Sequence, residues 1–215
     1  MPADGDLDDT VRRVDPERWL ASRFIGDATA RADVVVLYAY DHELDRAGRV
    51  TSNALLAEIR LTWWREVLDE IFSGGAVRRH PVARALSATV HSRSLWREPL
   101  EAMIDSRIAG SVDAERWAAG TSGSLALLAA RTLDREADAA AAVAAGRAWG
   151  LHLLRRQGRT DVDPTGPFTE AAQLAHRISP AAFPAIAHVT LARVTNPSAL
   201  EAQARLVWSV LRGRI

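Results

Sequence analysis

Apolar residues recur every three or four positions along almost the whole chain, a spacing that predicts amphipathic helices. Leu56, Ile59, Trp63, Val67 and Ile71 mark one face of a long helix. Trp63 falls on that stripe, and Trp64, turned by about 100°, falls at its edge. Val82, Ala85, Leu86 and Val90 form a second stripe, and Leu100, Met103, Ile104 and Ile108 a third. Residues 117–133 and 137–156 are alanine-rich and helical by propensity. Residues 34–37 are β-branched or apolar but run into YAYDHELDRA without a turn signal; they predict buried helix, with a strand as the lesser alternative.

The boundaries have their own signals. Asp15-Pro16 pairs a capping acceptor with proline at the first helical position, and Ser179-Pro180 and Asn196-Pro197 repeat the pattern. Thr51 or Ser52 can cap the helix that holds Trp63 and Trp64, and Ser73-Gly74-Gly75 ends it. His80-Pro81 opens the next. Residues 161–167, with two prolines and a glycine, predict the longest loop. The expected architecture is all-α: one helical domain over residues 15–215, preceded by an acidic, disordered segment over residues 1–14.

Composition narrows the function. The chain has 215 residues, 48% hydrophobic and 25% charged, enough for one domain with a sizeable core. Basic and acidic residues both number 27, so no basic excess exists to neutralise nucleic-acid phosphates. The absence of cysteine removes disulfides, thiol nucleophiles and cysteine-ligated metals, and is compatible with a reducing cytoplasm. No stretch approaches the length of a membrane span, which leaves peripheral contact open. Phosphate loops, HExxH, GxSxG and zinc patterns are also missing.

Four regions could carry chemistry. Asp41 and Asp45 are one helical turn apart and share a face, as a magnesium pair or as a solvated surface. Arg155, Arg156 and Arg159 close a helix, where they complement its dipole or clamp a diphosphate. In residues 120–128, GTSGSLALL, the small side chains allow close approach of a ligand or of another helix. Trp64, Trp96 and Trp208 are candidates for core packing or for partner contact.

Together, DPERWLASRF, LYAYDHELDRA, EIRLTWWREVLDEIFSG, HPVARAL, TSGSLALLAAR, GRAWGLHLLRR and WSVLRGRI resemble the squalene/phytoene synthase family. The resemblance implies an isoprenoid-synthase bundle around a central cavity, in which magnesium held by two aspartate-rich motifs drives condensation of prenyl diphosphates. It assigns Asp45 and Asp161 as catalytic and metal-binding remnants, and Arg60 and Arg156 as diphosphate-binding. Tyr38, Asp41, Gly120, Gly123, Leu127 and Trp149 become cavity-lining residues. Both motifs are depleted: Arg49 stands at the second acidic place of the first, and Gln157 at the leading aspartate of the second. A cation in a metal site repels magnesium.

AYDHELDRA and EIRLTWWREVLDEI most resemble the branch of the mitochondrial complex I assembly factor. That likeness implies a catalytically lapsed protein without a cofactor, acting with respiratory complex I subunits in the cytoplasm or at the inner face of the membrane. A magnesium-dependent head-to-head prenyl transferase is the alternative, and a carrier of isoprenoid lipid or prenyl diphosphate is a third.

Overall fold

The computed structural model describes residues 4–49, 54–194 and 198–215, and the side chains within them except at positions 4–6, 48, 49 and 54. Eleven α-helices are described: α1 (Asp4–Val14), α2 (Pro16–Ser22), α3 (Ala28–Arg49), α4 (Ala54–Phe72), α5 (Pro81–Arg93), α6 (Arg97–Ala109), α7 (Ala114–Ala118), α8 (Ser124–Leu133), α9 (Ala139–Arg156), α10 (Thr165–Leu174) and α11 (Ala199–Arg212). A π-helical turn, Ala119–Gly123, joins α7 to α8. Short 3-10 runs, among them Phe183–Ala185 and Ala187–Arg193, lie between α10 and α11. No strand forms among the described residues, and residues 34–37 are fully helical.

Helix α3 is central, packed against α1, α2, α4, α5, α6 and α8. Its middle turns are apolar all round: Val34, Leu37, Tyr40 and Leu44 are all completely buried. The predicted caps form at Asp15, whose carboxylate accepts the Arg18 N–H, and at His80, whose Nδ1 accepts the Ala83 N–H. Ser179 instead starts a run of tight turns, bonding the backbone of Ala182 and the carboxylate of Asp134. The capping expectations for Thr51, Ser52 and Asn196-Pro197 lie outside the described residues. Ser198 caps α11 in a reciprocal pair with Glu201.

The described part of the acidic start forms α1, which buries Val11 and packs on α3. Asp8 accepts the Trp19 indole N–H at 3.0 Å and also pairs with Arg31, so part of the acidity is matched by partners. In α4 the buried face is Leu61, Trp64, Val67, Leu68 and Ile71, whereas Leu56 and Ile59 are exposed. Trp64, not Trp63, enters the core, edge-on to Tyr40 at 5.3 Å and to His80 at 5.2 Å. Trp63 is half-buried beneath the Arg78 guanidinium.

Helix α9 crosses the end of α7 and the π-helical turn closely. A Cβ at Gly146 would lie 2.2 Å from the Ser122 carbonyl oxygen, and one at Gly150 would lie 2.9 Å from the Ala118 Cβ. The two backbones approach closely because neither position carries a side chain.

Candidate functional site

Asp41 and Asp45 share a face of α3, as their spacing requires. Two arginines from other helices meet them there. Arg107 of α6 donates from Nη2 to Asp41 Oδ1 at 2.6 Å and to Asp45 Oδ1 at 2.8 Å, and from Nε to Asp45 Oδ1 at 3.0 Å. Its Nη1 donates to the Met103 carbonyl, which fixes the guanidinium from its own helix. Arg18 of α2 donates from Nη1 to Asp15 at 2.9 Å and to Asp41 Oδ2 at 3.2 Å, and from Nη2 to Ser122 Oγ at 3.2 Å. The chain Asp15–Arg18–Asp41–Arg107–Asp45 therefore ties α2, α3, α6 and the π-helical turn together.

These charges are largely withdrawn from water: the Arg18 and Arg107 side chains are 5% and 7% exposed. Burial works against the positive charge of each guanidinium. The carboxylates of Asp41 and Asp45 outweigh that for Arg107, and those of Asp15 and Asp41 for Arg18, so both remain cations with raised pKa values. Tyr38 lies under Arg18, and burial, opposed by that cation, pushes its phenol upward.

Magnesium needs several open oxygen ligands. Asp45 is engaged by Arg107 through two nitrogens, and Asp161 is exposed in the loop after α9. Among the described residues no group of three or more His, Cys, Asp or Glu could share a metal. The donor set does not fit magnesium. The Arg49 side chain lies outside the described residues.

Elsewhere a cleft of about 1030 Å³ opens between the α1–α2 corner, α9, residues 191–194 and α11. Its lining includes Arg12, Arg155 and Arg156 together with Trp149, His152 and Leu191. Arg156 donates to Glu17 at 3.2 Å, and Arg155 stands 3.6 Å from Asp163. Burial, helped by the Arg156 charge, lowers the His152 pKa below its ordinary 6.5. Behind Trp149 lies His188, edge-on at 5.0 Å. Neither of its ring nitrogens has a hydrogen-bond partner, and burial holds its pKa well below 6.5. A second cleft of about 600 Å³, lined by Asp8, Arg23 and Val207 among others, shares Arg12, Trp19, Leu20 and Gln203 with the first.

Of the expected site residues, the large cleft takes Trp149 and Arg156. Neither cleft is lined by Tyr38, Asp41, Gly120, Gly123, Leu127, Asp45, Asp161 or Arg60. Tyr38 is buried, and its hydroxyl has no hydrogen-bond partner. Gly120 and Gly123 face other helices: added Cβ atoms would meet Ser106 of α6 and Val143 of α9. Leu127 packs against the core, and Arg60 is exposed on α4. Arg18 carries a local signal, since it follows Asp15 by one helical turn. Arg107 carries none, because it meets Asp45 across 62 residues.

The family model for squalene/phytoene synthase matches residues 11–164. The chain belongs to the squalene/phytoene synthase family. The crystal structure of squalene synthase HpnC from Alicyclobacillus acidocaldarius is similar with a TM-score of 0.64 and 16% identity, over 98% of this chain and 94% of that one. At that identity the likeness establishes the fold: the helical bundle is an isoprenoid-synthase fold. None of the curated proteins compared matches the chain. In active family members magnesium would supply positive charge to a departing diphosphate. In this chain Arg107 stands beside the first motif's aspartate.

Proposed function

We propose that this family member has lost metal-dependent condensation of prenyl diphosphates and acts by contact with another protein. One observation carries the catalytic part: Arg107 binds Asp41 and Asp45 together. Freeing Asp45 for a metal would break charge-assisted hydrogen bonds worth about 1.5–3 kcal/mol each, and would set a dication beside a fixed guanidinium. Diphosphate departure depends on concentrated positive charge at the reacting oxygens, and a single half-buried carboxylate supports little of it.

The resemblance of AYDHELDRA and EIRLTWWREVLDEI to the complex I assembly branch supports the identity of the partner, a membrane respiratory complex during its assembly. Deleting the gene in its host then lowers assembled NADH:quinone oxidoreductase and leaves isoprenoid products unchanged. Purified protein supplied with magnesium and prenyl diphosphates forms no squalene, phytoene or presqualene-type intermediate. Formation of such products at enzymatic rates overturns the reading.

The large cleft favours a second reading, prenyl transfer or carriage of a prenyl diphosphate. It places arginines near an aromatic and aliphatic lining, as an anionic head on an apolar chain requires. Lipid co-purifying with the protein, or depletion of isoprenoids on deletion, selects it.

A further inference from the structure

Helix α11 has two apolar faces, and only one meets the protein. Ala202, Leu206 and Val210 turn inward against the core. On the other side Leu200, Trp208 and Leu211 are 77%, 61% and 76% exposed. With Ala204 they recur at three- and four-residue steps, a continuous stripe about 17 Å long along the axis. A soluble surface tolerates single exposed apolar residues, but an aligned stripe of this kind marks an interaction site.

The charge beside the stripe indicates what covers it. The protein as a whole is balanced, with 27 basic and 27 acidic residues. From position 202 onward, however, the charged side chains are Arg205, Arg212 and Arg214, with no aspartate or glutamate. Glu201 sits at the start of the helix, where its carboxylate accepts the Ser198 N–H. Arg212 lies over the Trp208 ring at 4.2 Å, placing a cation and an amphipathic indole side by side at the edge of the stripe. Leucine to insert, tryptophan at the boundary and arginine at the headgroups is the composition of a helix lying in a bilayer interface. The opposite wall of α11 borders the large cleft through Ala199, Ala202 and Gln203. A membrane seated on the outer stripe would thus lie next to a cleft whose lining suits an amphiphile with an anionic head.

We propose that the outer face of α11, centred on Leu200, Trp208 and Leu211, docks this protein on an anionic lipid bilayer. The docking does not depend on whether the partner is a respiratory complex or the cleft holds a lipid.

The test uses the full chain and flotation with two vesicle types, phosphatidylcholine alone and phosphatidylcholine with phosphatidylglycerol. The parent floats with the anionic vesicles and stays behind with the neutral ones. Trp208→Glu and Leu211→Glu, checked for unchanged helicity and unfolding midpoint, each weaken the binding by about tenfold or more. Brominated acyl chains quench fluorescence of the parent, and Trp208→Phe removes most of that quenching. The proposal fails if the parent ignores anionic vesicles or if both glutamate variants bind like the parent. It fails equally if light scattering finds a stable dimer that Leu211→Glu dissolves, because the occupant is then a second copy of this chain.

Discussion

Replacing Arg107 with methionine tests whether the buried charge chain is an integral part of this fold. The substitution keeps most of the aliphatic stem and deletes the guanidinium. It removes three hydrogen bonds to carboxylate oxygens, at 2.6, 2.8 and 3.0 Å, and those to the Met103 and Asp41 backbone carbonyls. Asp41 retains Arg18 at 3.2 Å, and its side chain is 14% exposed, against 29% for Asp45. Breaking a buried pair by removing one partner costs about 3–5 kcal/mol. The retained Arg18 bond and the partial exposure of Asp45 place Arg107→Met near the lower end, about 3 kcal/mol. Asp45→Asn added to Arg107→Met removes the carboxylate that the guanidinium met, and their coupling of about 1 kcal/mol or more is read as non-additivity in a double-mutant cycle. Urea unfolding followed by far-ultraviolet circular dichroism measures all four proteins. An Arg107→Met chain within about 0.5 kcal/mol of the parent refutes the assignment. So does strict additivity with Asp45→Asn.

Two further substitutions address the core. Gly146→Ala forces a Cβ against the Ser122 carbonyl and the Ala126 Cβ, so it destabilises by about 1–3 kcal/mol even though alanine is the better helix former. Gly166→Ala, at an open position in α10, is neutral or stabilising by up to about 1 kcal/mol, and the opposite order of the two midpoints contradicts the crossing. His188 gives a pH signature. Its folded pKa lies well below the unfolded 6.5, so below that pH the unfolded chain binds a proton that the native state refuses. Stability therefore falls with decreasing pH by about 1.4 kcal/mol per unit from this group, beginning near pH 6.5. The half-buried His80 and His152 add to the slope in the same direction. Replacing His188 with phenylalanine flattens it, and an unchanged slope contradicts the burial argument.

Most of the helical plan was legible because its signals are local. Asp15-Pro16 and His80-Pro81 cap and open helices through bonds to residues three positions on, and Ser73-Gly74-Gly75 ends one. Periodicity located α4 but misjudged its face. Leu56 and Ile59 suggested a stripe through Trp63, and both are exposed, because the first turns of α4 extend beyond the core that Trp64 enters. The acidity of the first residues is a composition average and does not register that Asp8 finds Trp19 and Arg31.

The site was legible in its parts and not in its assembly. The turn-spaced pair Asp41 and Asp45 could be read from the chain, and so could the arginine cluster closing α9. What those acids bind is a tertiary fact. Arg107 is one of 27 basic residues, and nothing near it in sequence distinguishes it from the others. Similarly, the small residues of GTSGSLALL announced a close approach without naming the visitors, which prove to be α6 at Gly120 and α9, brought in by Gly146 and Gly150. A family motif identifies positions where a metal could be held. Whether the carboxylates there remain available depends on the cations around them, and in this chain one of those, Arg107, is carried by a neighbouring helix. A substitution at Arg107 therefore bears on the first motif as directly as one at Asp45 does, although it falls outside any pattern by which that motif would be recognised.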